Sequence, residues 1–316
     1  MKKLTAKTLL LSSMLASSVA LAAYPEKPIT IIVPWGAGGN TDTIARLVAK
    51  GLQEELGTNV NVLNRTGGSG VVGHNAIKVA KPDGYTLGVV TAEIALMRHQ
   101  KMAELSYQDY TPIVRLAVVN GGVQVAKESP FNTIGELLQS AKDNPGKLKA
   151  SGSGLNSIWH LNLLGILKSA GLPEDSVKFV PSQGATAALQ ELVSGGVDFV
   201  TSSPGEAKSM TDAGMVKHLA ITSESKDPLY PDVPVYQEAT PYKWTLFGWN
   251  VLTAPKDLPP EIQEKLVKAM KKVYAKGELQ EFSHKQGFGV GELYGQQLEQ
   301  FMAAEDAKFG ELLSAQ

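Results

Sequence analysis

One stretch constrains this chain more than any other: Ile29-Thr30-Ile31-Ile32-Val33-Pro34-Trp35-Gly36-Ala37-Gly38-Gly39-Asn40-Thr41-Asp42. A β-branched apolar run stops at Pro34, turns through glycines and opens into an amphipathic segment. There Ile44, Leu47, Val48, Leu52 and Leu56 recur at helical spacing. Asn40 and Thr41 are both competent N-caps, and Asp42 adds negative charge to the first turn. A strand, a glycine loop and a helix N-terminus together gather outward-pointing backbone N–H groups. The helix dipole adds partial positive charge, so the concavity suits an anion. A plain strand-to-helix turn uses the same residues, and the rest of the chain has to decide between them.

The unit repeats. Val60 to Leu63 reads as a second strand, followed by the glycine-rich Arg65 to Gly70 and a helix carrying Val72, Ala76 and Val79. Lys81-Pro82-Asp83-Gly84 is a turn, and Tyr85 to Thr91 a third strand. Such alternation predicts an α/β fold with a mostly parallel sheet and right-handed crossovers. The longer β-prone run Ile113 to Val125, broken at Gly121-Gly122, suits a strand that leaves one sheet for another.

A second α/β set follows. Thr133-Ile134-Gly135-Glu136 has the spacing of a capping box. Lys147 to Ala150 is a short strand, and Ser151-Gly152-Ser153-Gly154 a second glycine turn before a helix with Ile158, Leu161, Leu164 and Leu167. Strands at Val177 to Val180, Val197 to Thr201 and Val216 to Thr222 alternate with helices at Gly184 to Ser194 and from Pro204. The proline-rich Pro228 to Pro241 reads as surface loop. Leu246 to Leu252 returns the chain to the first lobe, and two helices close it, the last from about Gly295 to Leu313. The expected division is a first lobe of 23–123 and 247–316 and a second of 124–246. A small-molecule cleft is expected at the hinge.

The first residues read as a secretory signal. Lys2, Lys3 and Lys7 form a basic start, Leu9 to Ala20 is a short apolar stretch, and Ala20-Leu21-Ala22 supplies small residues for cleavage near Ala22. The apolar stretch is too short to span a bilayer comfortably, so a periplasmic, cleaved, non-spanning chain is expected. Removing the three leader lysines from 30 basic side chains leaves 27 against 31 acidic ones, a net charge of −4. That balance argues against a nucleic-acid partner. The chain has no cysteine, hence no disulfide, thiolate metal site, cysteine nucleophile or lipid-anchored cysteine.

Gly68-Ser69-Gly70-Val71-Val72-Gly73 matches a dinucleotide fingerprint, with Glu93 about twenty residues on. Export argues against it, and no cofactor is expected. There is no G-x-S-x-G elbow, and the five histidines show no helical metal spacing. His160 alone stands near a loop mouth. All four arginines (Arg46, Arg65, Arg98, Arg115) fall in the first half of the chain. A second lobe that binds an anion must therefore use backbone N–H groups, hydroxyls, amides, histidine or lysine. Ser153, Asn156 and Ser157 supply such groups, as does Thr201-Ser202-Ser203 after a strand. Trp35, Trp159, Trp244 and Trp249 suit either a cleft wall or a core.

Taken together, several stretches resemble the Bug/TctC family of periplasmic solute-binding proteins of tripartite tricarboxylate transporters. They are Tyr24 to Ile29, Val33 to Asp42 with Ala45-Arg46, Asn64 to Gly70, Lys81 to Leu87, Gly152-Ser153-Gly154 with His160-Leu161, and Gly195 to Asp198. The resemblance implies a two-lobed type II periplasmic-binding-protein fold with its cleft at a two-strand hinge. It further implies capture of a small organic carboxylate, a di- or tricarboxylate or an aromatic acid. A monomer would deliver it to the transporter's membrane components. Carried over residue by residue, Gly38, Gly39, Asn40 and Thr41 serve one carboxylate, with Trp35 as a wall and Asp42 orienting the loop. Ser153, Asn156 and Ser157 serve the opposing lobe with His160, and Thr91, Gln183 and Ser202 complete the expected site. The chain departs from the family pattern at Trp35 and Asn40, and at Ser182-Gln183-Gly184-Ala185, where Lys/Arg-Gly-Gly is more usual. A sensing protein that feeds a receptor, or an exported bilobal enzyme, are the alternatives.

Overall fold

The β-branched run after Pro28 forms β1 (Ile29–Val33), with four of its five residues buried. The structure, a computed structural model, describes residues 24–314; the expected leader and its cleavage site lie outside the described residues. α1 (Asn40–Leu56) buries Ile44, Ala45, Val48, Ala49 and Leu52 and ends at Gly57, whose φ of 66° favours glycine. β2 (Val60–Asn64), α2 (Val71–Lys78) and β3 (Thr86–Thr91) complete the first unit, with β1 parallel to both neighbours.

β4 (Tyr110–Ala126) is the strand that joins the lobes. Residues from Tyr110 to Asn120 pair antiparallel with β9 (Phe247–Pro255). From Gly121 on, β4 pairs with β7 (Phe199–Ser202) and β8 (Val216–Thr222) instead. Gly121-Gly122, expected as a break, lies inside this continuous strand. A Cβ on Gly121 would stand 2.6 Å from Thr222 Oγ1 and 2.8 Å from Asn162 Nδ2, so glycine is there for close packing.

The second unit holds α3 (Ile134–Asp143), β5 (Leu148–Ser151), α4 (Ile158–Ser169), β6 (Val177–Phe179), α5 (Ala185–Val193), α6 (Pro204–Asp212) and α7 (Tyr236–Ala239). After β9 come α8 (Pro260–Ala275), α9 (Glu278–Lys285), β10 (Val290–Leu293) and α10 (Gly295–Ser314). The sheet order is β2-β1-β3-β9-β4-β7-β5-β6, with β8 and β10 also on β4.

The expectation of a mostly parallel sheet needs correction. The outer strands of each lobe are parallel, but β4, β8, β9 and β10 run antiparallel to their neighbours. A chain that crosses between lobes and returns beside its own crossing must reverse direction. The Pro228 to Pro241 stretch is likewise more than surface loop. Val235 and Tyr236 are fully buried, Val235 bridges to Ile221, and the Tyr236 hydroxyl exchanges a hydrogen bond with Ser169 Oγ.

Apolar side chains form one large core centred on the first lobe, which also takes in Ile158, Trp159, Leu161 and Ala185 of α4 and α5, and two smaller clusters in the second lobe. Trp244 belongs to this packing. Its ring lies where a Cβ on Gly165 would be, and its Nε1–H donates to Asn162 Oδ1 at 3.0 Å.

Candidate functional site

The N-termini of α1, α4 and α5 converge between the lobes on a cavity of about 250 Å³. Their N-cap residues, Gly39, Ser157 and Gly184, make no side-chain cap hydrogen bond. By contrast, α3 and α6 carry full capping boxes from Thr133–Glu136 and Ser203–Glu206. Helix ends aimed at the cavity thus keep backbone donors and dipole charge facing inward.

The first jaw is held from behind by Asp42, whose side chain is 4% exposed. Its carboxylate accepts from Gly38 N–H at 2.9 Å, Asn64 Nδ2 at 2.9 Å, Arg46 Nε at 3.0 Å and Arg46 Nη2 at 2.9 Å. Burial alone would raise this carboxyl, but the bonds from Arg46, Gly38 and Asn64 hold it below the usual carboxylate range. On the cavity side, Trp35 Nε1 donates to Thr91 Oγ1 at 3.2 Å, and Thr91 Oγ1 donates to Glu93. Thr41 Oγ1 donates to Asn250 Oδ1, and Asn250 Nδ2 donates to Asn40 Oδ1. The Asn40 Nδ2 amide, on a residue only 3% exposed, is left without a partner.

His74 ties two loops together under the site. Its Nε2 accepts the Thr91 backbone N–H at 3.1 Å, which leaves Nδ1–H to donate to Gly70 O at 2.8 Å. Burial pushes its pKa down to about 4, against the Gly70 bond, so the folded protein keeps it neutral. The unfolded chain protonates it near pH 6.5, so His74 stability is present above that pH and lost as pH falls toward 4. The loss is on the order of 3 kcal/mol. Imidazole NMR is expected to show neutral His74 down to about pH 4–5; a midpoint above 6 would contradict this burial argument.

The second jaw is a chain of hydroxyls. Ser157 Oγ donates to Gly154 O at 2.6 Å, so in its 2.5 Å contact with Ser153 Oγ the proton comes from Ser153. Asn156 holds φ at 63° and donates its backbone N–H to His160 Nδ1 at 3.2 Å. His160 packs against Phe179 with centroids 4.3 Å apart and the ring planes tilted by 48°.

The jaws touch. Gly36 N–H donates to Gln183 O at 3.3 Å, and Ser69 Oγ to Leu155 O at 2.6 Å. Two glutamates also reach across. Glu93 accepts the Ile158 N–H at the start of α4 at 3.2 Å, while Glu206, which accepts from Ser203, lies close enough to the Asn40 backbone N–H at the start of α1 to feel its dipole. Burial first, then the Glu93 charge, pushes Glu206 up to about 7 against its bonds from Ser203 and the pull of the nearby Asn40 N–H. Burial raises Glu93 as well, despite bonds from Thr91, its own N–H and Ile158.

The profile of the tripartite tricarboxylate transporter family receptor, TctC, matches residues 44–316. The chain belongs to the TctC family. It is 32% identical over 262 residues to the UPF0065 protein in the tcbD-tcbE intergenic region of Pseudomonas sp. strain P51, over 81% of this chain and 76% of that one. It is similar to the periplasmic binding protein BugD, with 26% identity, coverage of 92% and 98%, and a TM-score of 0.86. A protein of R. palustris solved with adipate is also similar, with 26% identity, coverage of 92% and 97%, and a TM-score of 0.83. TctC proteins are periplasmic solute-binding proteins with two lobes. No helix among the described residues is long and apolar enough to cross a membrane.

Of the residues expected at the TctC site, Trp35, Gly39, Asn40, Thr41, Thr91, Ser153 and Gln183 line the cavity. Gly38, Asp42, Asn156, Ser157, His160 and Ser202 are not among its lining residues. The Gly38 N–H goes to Asp42, Ser157 is bonded to Gly154, and Ser202 Oγ donates to Gln124 Oε1 at 2.9 Å. Sequence reasoning missed Glu93, Glu206 and Asn250 as cavity groups, and it left Trp159 and Trp249, which also line it, undecided. Glu206 carries a sequence signal, but that signal is a capping box, which accounts for it fully as a helix start. No cluster of His, Cys, Asp and Glu that could hold a metal ion occurs among the described residues.

Proposed function

We propose that this TctC-family chain captures a small organic carboxylate between its lobes and delivers it to the membrane components of a tripartite tricarboxylate transporter. The observation that carries this reading is Asn40 Nδ2, a buried donor without a protein partner at an uncapped helix N-terminus facing the cavity. A carboxylate oxygen satisfies such a donor, and the α1 dipole favours its charge. A family relative solved with adipate supports the class. In this reading Asn40 and Thr41 face the carboxylate, Trp35, Thr91, Ser153 and Gln183 shape the remaining walls, and Gly38, Asp42, Asn156, Ser157, His160 and Ser202 hold the loops. The lobes divide where β4 and β9 pass between them, and the ligand is selected in the closed form because only there does it touch both.

Thermal shift against a panel of organic acids tests it. At a hundred times its dissociation constant, a true ligand adds about 2.7 kcal/mol of stability. Asn40→Ala is expected to weaken that ligand about tenfold. If sugars or inorganic cations shift melting while no carboxylate does, the reading fails.

A further inference from the structure

The cavity's polar lining is unbalanced. Three hydroxyls facing it spend their protons inside the protein: Thr41 on Asn250, Thr91 on Glu93 and Ser153 on Ser157. What they offer a ligand is lone pairs. Two carboxylates, Glu93 and Glu206, come from opposite lobes and line the same cavity. Glu93 is 4% exposed. Neither has a cationic partner among the described residues, and no lysine, arginine or histidine of those residues lines the cavity.

Each glutamate already faces the other lobe's helix start: Glu93 accepts the Ile158 N–H, and Glu206 lies near the Asn40 N–H while accepting from Ser203. The protein's own carboxylates thereby take up part of the donor capacity that a second ligand carboxylate would need. A carboxylate has about four lone-pair sites, so both retain capacity for a further donor. A dianion placed there would meet two buried carboxyl groups with no counter-ion, which is costly in a desolvated site. Three indole rings, Trp35, Trp159 and Trp249, also line the cavity, and aromatic rings suit a cation better than a second anion.

We propose that the solute carries an ammonium group as well as a carboxylate, and that Glu93 and Glu206 receive that ammonium while Asn40 Nδ2 receives the carboxylate. The ligand is then a zwitterionic amino acid, and the two glutamates are the residues that select it over a dicarboxylate. The inference rests on the carboxylate-capture reading and names the class within it.

Matched pairs separate the two. Titration calorimetry on the mature chain compares 4-aminobutanoate with succinate and 6-aminohexanoate with adipate, alongside the common α-amino acids and propylamine. We expect at least one amino acid to bind tenfold or more tighter than any of the dicarboxylates. Glu93→Gln and Glu206→Gln, each checked for an intact melt, are expected to lose that preference by tenfold or more. If a Gln variant does not fold, the wild-type pairs alone still decide. Tighter binding of a dicarboxylate, unchanged in the Gln variants or strengthening as pH falls, overturns the inference and leaves carboxylate capture standing. Binding of propylamine with no carboxylate-bearing ligand bound overturns both.

Discussion

Replacing Asp42 by Ala is expected to lower unfolding free energy by about 2–4 kcal/mol and to weaken ligand affinity at least tenfold. Asp42 gathers Gly38 N–H, Asn64 Nδ2 and two Arg46 donors onto one carboxylate under the first jaw. Without it, Gly38 and Asn64 lose their acceptor. Arg46, whose side chain is 52% exposed, recovers solvation from water, so its share is small. The affinity loss follows because the same bond that satisfies Gly38 aims the Gly39 to Thr41 backbone at the cavity. The sign with pH is also set. A carboxyl held below its unfolded pKa contributes stability above about pH 4, and that contribution is lost as pH falls through the folded value. Urea melts of the two proteins should therefore draw together as pH falls below about 4. A difference under about 1 kcal/mol at pH 7 would show that solvent already replaces these bonds.

Gly154→Val is the second large effect, and it acts on closure. A Cβ on Gly154 would stand 2.2 Å from Ser69 Oγ, 2.8 Å from Ser69 Cβ and 2.9 Å from Ser69 Cα across the cleft. Rotating one side chain cannot relieve contacts that include the opposing backbone, so the jaws must part. A steric cost of about 2 kcal/mol in the closed state alone lowers affinity roughly 30-fold. The strands of the first lobe and the two clusters of the second keep their packing. Only the Ile158, Trp159, Leu161 and Ala185 contacts across the cleft are disturbed, so stability without ligand should fall less than affinity does. Small-angle scattering should show a more extended ligand-free chain, and Ser69→Gly in the same protein should recover part of the affinity. Wild-type affinity in Gly154→Val would rule out closure through this contact.

Local chemistry was legible from the residues. The strand from Ile29 to Val33, the α1 periodicity, the Thr133–Glu136 capping box and the second glycine turn all lie within a few residues of the groups that cause them. The crossing strand was legible too, as a long β-prone run, although its two glycines read as a break. Glycine lowers strand propensity, yet at Gly121 the need to admit Thr222 and Asn162 outweighs that preference. Tyr236 shows the same limit from the other side. Its prolines read as loop, while its burial depends on helices and strands far along the chain.

By itself, then, the sequence determined two α/β lobes, a pair of glycine-rich helix starts and the family to which the chain belongs. Such features come from backbone propensity, side-chain periodicity and short motifs, all of which act over one or two turns. Only the tertiary structure decided which groups share the cavity. Glu93 meets Ile158 across 65 residues of chain, and Asn250 meets Asn40 across 210. No local preference encodes such meetings. They arise because β4 and β9 carry the lobes face to face, and that closure brings two acids to the helix starts where sequence reading placed only the ligand.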